Sequence, residues 1–145
     1  MKRFTTLAFA AMMAMSTACF AAGDGSVLNK LQKPAETMID IFNNNGVTYD
    51  TVVKGFAAEA KKNFTEEVFN NVKKAAADKF GKLKESKFVA FQRMDQADIV
   101  AYLGAFTKEK VVNLVFFFDK EGKIVNFQFS PMQVKEDKKN ANAKK

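Results

Sequence analysis

At 145 residues, a net charge of +7 and 48 % hydrophobic side chains, the chain can fold one domain with flanking segments. It has no histidine and a single cysteine, Cys19. That removes the commonest general base, the commonest metal ligand and any disulfide within the chain, so neither a metal nor a cofactor is expected.

Residues 1–21 have the three-part pattern of a secretory signal peptide. Lys2 and Arg3 are the positive start, and Leu7 to Met15 is an apolar core too short to span a bilayer. Small residues then lead to a cleavage point after Ala21. The expected location is therefore periplasmic or secreted. Cys19 keeps one alternative open, a lipid anchor, although Ser16-Thr17-Ala18 lacks the usual large aliphatic residue three places upstream. A membrane contact is expected only in that case. Residues 22–132 are read as a single domain.

The first half of that domain is helical. Val27, Leu28, Leu31, Ala35, Met38, Ile39 and Phe42 recur at helical spacing. Pro34 either starts the main helix or kinks one continuous helix. Asn43-Asn44-Asn45-Gly46 is a stop, and Thr48 or Asp50 caps a short second helix that ends near Gly55. Phe56 to Lys62 reads as an irregular helical turn. Thr65 is a strong cap, with Glu66 and Glu67 in the first turn and Phe64 placed to staple onto Phe69. Val68, Phe69, Val72, Ala76 and Phe80 form one stripe, and Gly81 ends it.

From Lys87 the period becomes alternating. Four strands are expected at about 87–94, 98–107, 111–118 and 123–130, joined by short turns into an antiparallel meander. The last two strands flank Asp119-Lys120-Glu121-Gly122, where glycine suits a positive φ. The fold class is α+β, with the helices packed on the sheet. Two central residues in each of the first two turns would place Val89, Phe91, Arg93, Val100, Tyr102, Gly104, Phe106, Val111, Asn113, Val115 and Phe117 on one face. A bulge at Gly122 adds Val125, Phe127 and Phe129 to it. Phe88, Ala90, Met94, Ile99, Ala101, Leu103, Ala105, Leu114, Phe116, Phe118 and Ile124 take the other face, which is expected to receive the helices.

The helical first half, then Phe106–Val111 (FTKEKV), Phe117–Ile124 (FFDKEGKI) and the F-x-F-x-P of Phe127–Pro131, resembles a bacterial family. It is domain of unknown function 3887, in the nuclear-transport-factor-2-like superfamily. The resemblance covers most of Ser26–Met132. It implies a cone-shaped fold in which a curved four-stranded sheet wraps helices around a cavity. It also implies export, alone or ahead of a hydrolase domain; the short stretch after Met132 points to the solitary form. Residues 133–145 are polar and lysine-rich, and read as a disordered basic tail. Glu136 and Asp137 dilute the charge, so no nucleic-acid partner is expected.

No phosphate loop, metal cluster or nucleophile–base pattern is present in the sequence. Asp95/Asp98 and Asp119/Glu121 fall in turns, where solvated turn-forming acids are the ordinary reading. Arg93, the only arginine after the leader, shares a face with Phe91 and Tyr102. An arginine fork beside aromatic rings suits a carboxylate or phosphate at a pocket mouth. Candidate ligand-binding residues are Phe91, Arg93, Tyr102, Phe106, Phe117 and Phe127; no catalytic residue is assigned. The leading reading is a non-catalytic binding module for a small apolar or weakly anionic molecule. The alternatives are a homodimer or other protein-interaction domain, and a small lyase or isomerase that uses Tyr102 or Asp98.

Overall fold

The structure is a computed structural model and describes residues 24–43 and 46–133. The leader, Cys19 and all but the first residue of the tail lie outside those residues. Helix α1 (Asp24–Ile39) runs without a break through Pro34 and tightens into a 3-10 turn, Asp40–Asn43. Of the two readings for Pro34, one continuous helix is the observed one. Leu31, Ala35, Met38 and Ile39 form its buried stripe. Thr48 caps α2 (Tyr49–Val53), accepting from the Thr51 N–H, so the cap is Thr48 and not Asp50. Helix α3 (Ala58–Asn63) is a short turn. Helix α4 (Glu66–Phe80) begins where Thr65 Oγ1 accepts from the Val68 N–H at 3.3 Å, with Glu66 and Glu67 at its positive end. The Phe64 and Phe69 rings meet edge to face at 6.3 Å across this start.

Strands β1 (Leu83–Arg93), β2 (Asp98–Phe106), β3 (Val112–Phe118) and β4 (Ile124–Pro131) form one antiparallel sheet in that order. β1 starts four residues before the expected Lys87, because Leu83 pairs with Phe106. Gly122 has φ +83° and donates to the Asp119 carbonyl, as the glycine at the end of this turn requires. Asp119 Oδ1 also accepts from the Glu121 and Lys123 N–H groups, so this acid builds its turn.

The register corrects one expectation. Gly104 pairs with Val112, and the Phe106 N–H donates to the Glu109 carbonyl. The β2–β3 connection therefore holds an odd number of residues, and β3 turns over. Val112, Leu114, Phe116 and Phe118 share a face with Val100, Tyr102 and Phe106; Val111, Asn113, Val115 and Phe117 lie on the reverse. A bulge at Val89 brings Phe88 to the first face and sends Val89 to the second. A further bulge at Val125 lets Ile124 pair with Phe118 while Phe127 pairs with Phe116. The helices cover the Tyr102 face, the reverse of the expectation, because that face now carries the bulk of the apolar volume. Phe116 and Phe118 are fully buried there, each worth about 2–3 kcal/mol of transfer from water.

Two contacts tie the ends of the layers. The segment at Phe56 forms a parallel bridge to Ile124, with the Ala57 N–H donating to Ile124 O and the Ile124 N–H to Gly55 O, both 2.8 Å. At the opposite end of α4, Gly81 adopts φ +81°, and a Cβ there would lie 2.0 Å from Thr107 Oγ1. Thr107 Oγ1 accepts from the Lys82 N–H, the Thr107 N–H donates to Lys82 O, and the Lys108 N–H donates to Phe80 O. The helix end and the β2–β3 turn are thus stitched together.

Asp98 is not a solvated turn acid. Its side chain is 4 % exposed, with Lys120 Nζ at 3.1 Å and Arg93 Nε at 3.7 Å. Lys120 also donates to the Met94 carbonyl, so it links the β1–β2 and β3–β4 turns. Thr65→Ala should lower stability by about 1 kcal/mol, read from the denaturation midpoint, because one helix-start N–H loses its acceptor. Asp98→Ala should cost about 1–2 kcal/mol, a figure held down because both cations are half-exposed and regain water. An unshifted midpoint in either variant would remove the corresponding contact from the account.

Candidate functional site

Five of the six candidate residues lie on the helix face of the sheet. Phe91, Tyr102 and Phe106 are buried, Phe127 is half-buried, and Arg93 is 47 % exposed at the strand end. Phe117 is on the reverse face, moved there by the turn that flips β3. The cone they were expected to line is filled. Phe106 packs 5.3 Å from Phe42 and 5.5 Å from Phe80, and Phe127 packs 5.6 Å from Phe64. Edge-to-face aromatic packing at this density makes Phe106 and Phe127 core residues.

Space remains beside the 3-10 turn Asp40–Asn43. On one side is a cavity of about 360 Å³, walled by Glu36, Ile39, Asp40 and Asn43 above and Ser86, Phe88 and Tyr102 below. On the other is a second of about 360 Å³, floored by Ile41 and Phe42 and rimmed by Lys73, Lys82 and Lys108. The lysines of the second are partly engaged. Lys108 Nζ donates to the Asp78 carbonyl at the end of α4, and Lys73 Nζ sits 5.4 Å from the Phe69 ring centre.

Tyr102 gives the first cavity its chemistry. The residue is 3 % exposed, and its hydroxyl is buried without a hydrogen-bond partner. Gln32 and Glu36 of α1 come near enough to influence its titration, but neither reaches hydrogen-bonding geometry. Burial pushes the phenol well above its ordinary 10.0, and the charge of Glu36 pushes the same way. Tyr102 is therefore a neutral phenol at any physiological pH, able to donate or accept one bond. A buried hydroxyl left unpaired costs about 1–3 kcal/mol. The Phe88 ring stands edge-on to Tyr102 at 5.8 Å and supplies an apolar wall.

Arg93 and Asp98 belong to a different place. They form the turn clamp with Lys120, and Asp98 lies four residues from Tyr102 along β2, about 13 Å at strand rise. The two do not form an acid–base pair. Among the described residues, no cluster of His, Cys, Asp and Glu could hold a metal ion, and no helix is long and apolar enough to cross a membrane. Sequence reasoning grouped Tyr102 with Phe91, Arg93 and Phe106 as observed, but expected the helices on the opposite face and did not single out Glu36 and Asp40. Their i, i+4 spacing beside Ile39 was the available sign that both meet one neighbour.

No curated protein and no solved structure matches the chain. A family model does match, over residues 35–127, from the buried stripe of α1 to the middle of β4. The match includes every residue that walls the cavity beneath Tyr102. The chain belongs to the family described as Protein of unknown function (DUF3887).

Proposed function

We propose that the protein is a small exported binding module that holds a small molecule in the cavity beneath Tyr102 and performs no reaction on it. The observation that carries this reading is the cavity of about 360 Å³ itself, lined by Phe88 and Tyr102 of the sheet and by Glu36, Ile39 and Asp40 of the helical layer, with the unpartnered Tyr102 hydroxyl buried close by. Polar groups convergent on a partly apolar cavity are the ordinary form of a ligand site. Against catalysis stand the neutrality of Tyr102, which makes it a poor base, and the engagement of Asp98 with Lys120 and Arg93. Export rests on the Lys2–Arg3 start and the Leu7–Met15 core of the leader.

A second reading, a dimer or partner interface, is favoured by the reverse face of the sheet. Ala101, Val115 and Phe117 are only half-buried there, around a small buried cluster of Val89, Leu103 and Val111. Phe117→Asp would then lower the sedimentation coefficient of a dimer; a monomeric wild-type protein would remove this reading.

Tyr102→Phe separates a ligand role from a structural one. It removes an unpaired buried hydroxyl, so the variant should be as stable as the wild type or gain up to about 1 kcal/mol, while a molecule retained through native mass spectrometry should be lost. A clear loss of stability would give the hydroxyl a structural partner and count against the site. The phenol also sets an alkaline limit. Below pH 10 it is protonated in both states; above it the unfolded chain ionises and the folded one resists, so stability falls as pH rises. Tyr102→Phe should flatten that decline in urea-midpoint measurements between about pH 9 and 11.

A further inference from the structure

The reverse face of the sheet is laid out in rows. Gln92, Ile99, Phe117 and Asn126 stand side by side across the four strands. Ala90, Ala101, Val115 and Gln128 form the next row. Each row is apolar on the two central strands and ends on β4 in an uncharged amide. The central side chains are half-buried, and the outer ones on β1 and β4 are exposed. The buried cluster beside them, Val89, Leu103 and Val111 with Ala101 and Met132, contains no helix residue. Neither row holds a charge, in a chain of which 27 % of the residues are charged. An apolar centre, a neutral polar rim and depletion of charge are the composition of the middle of a protein–protein interface.

We infer that this face packs against the same face of a second copy of the chain, sheet on sheet about a two-fold axis. The inference rests on the interface reading above and names the partner. Charge decides between partners. The chain carries a net +7, so two copies repel each other over most of their surface. The two rows are a place where they meet without like charges in contact. A strongly acidic partner would instead be drawn to the lysines, which lie outside these rows. The rim is also self-complementary. An amide side chain both donates and accepts, so Asn126 and Gln128 can bond to the amides of a copy, whereas a rim of one charge sign could not. Ala90 and Ala101 are small beside Phe117 and Val115, which leaves relief for the larger side chains of a facing sheet to fill. Aligned packing of two twisted sheets, about 10 Å apart, buries such a surface without moving the backbone.

The test is sedimentation equilibrium of the full chain over a range of concentrations, with charge placed on the rim. Gln92 and Gln128 are exposed, so the double variant Gln92→Lys, Gln128→Lys should keep the wild-type denaturation midpoint. Its dimer dissociation constant should rise by about tenfold or more, and added salt should recover part of the loss by screening the new like charges. The control is Asn70→Lys, Asn71→Lys, which adds the same two charges on the exposed side of α4 and should leave the dimer within about twofold of wild type. Asn126→Lys repeats the rim test at a separate position should the double variant prove unstable. A wild-type dimer that neither rim variant weakens would overturn the inference and leave an interface on another surface. Equal weakening by the helix-layer control would overturn it as well, since net charge alone would then govern association. A wild-type protein that stays monomeric at every concentration would remove the inference and the interface reading together.

Discussion

The joint between the end of α4 and the β2–β3 turn is the constraint on which the rest of the molecule depends. Gly81 has to leave the helix at positive φ with no side chain, because Thr107 Oγ1 occupies the place of its Cβ. Three backbone and side-chain bonds then hold Lys82, Thr107 and Lys108 to the helix end. This fixes how many residues the turn spends, and so which face of β3 meets the helices. β3 reads Val-Asn-Leu-Val-Phe-Phe-Phe, apolar on both sides apart from Asn113, and its own side chains choose weakly between faces. The stitched turn supplies the choice that the strand lacks.

From that choice the core follows. With Leu114, Phe116 and Phe118 turned toward the helices, Phe116 meets Phe129 at 5.9 Å and Tyr102 at 6.2 Å, and Phe129 reaches Phe42 at 5.1 Å. Phe42 belongs to the 3-10 turn at the end of α1. The turn is thus anchored by its aromatic residue while Asp40 and Asn43 stay at the surface on its outer side. The open space beside Tyr102 is a by-product of the same geometry: the turn seats Phe42 deeply, and the neighbouring wall of α1 is held away from β1. Core and cavity are two consequences of one anchored ring.

Much of this was legible in the residues. Thr65 announces a helix start, Gly81 and Gly122 mark an end and a turn, and the alternation after Lys87 gives a four-strand meander in the observed order. Each of these depends on local backbone chemistry, which a short window of sequence contains. What was not legible depends on counting across a turn. Thr107-Lys108-Glu109-Lys110 suits two central residues or three, and only contact with Gly81 and Lys82 decides. The bulge at Val89 is hidden for the same reason, since Phe88-Val89-Ala90-Phe91 is apolar in either register. The site was half legible: Tyr102 stood out as a polar group among aromatics, but its acidic neighbours come from a helix some sixty residues earlier, where they look like ordinary surface.

The bridge from Phe56 to Ile124 has a consequence for a chain with 16 phenylalanines. An open sheet ends in two rows of unpaired N–H and C=O groups that invite strand addition from another molecule. Along β4, the Gly55–Ala57 segment already takes the amide and the carbonyl at Ile124. Along β1, the bulges at Lys84 and Val89 break the row, and Lys84 and Lys87 place charge beside it. The β4 border is thus closed at its first residue and the β1 border is interrupted twice, which shortens the template that either edge offers to strand addition.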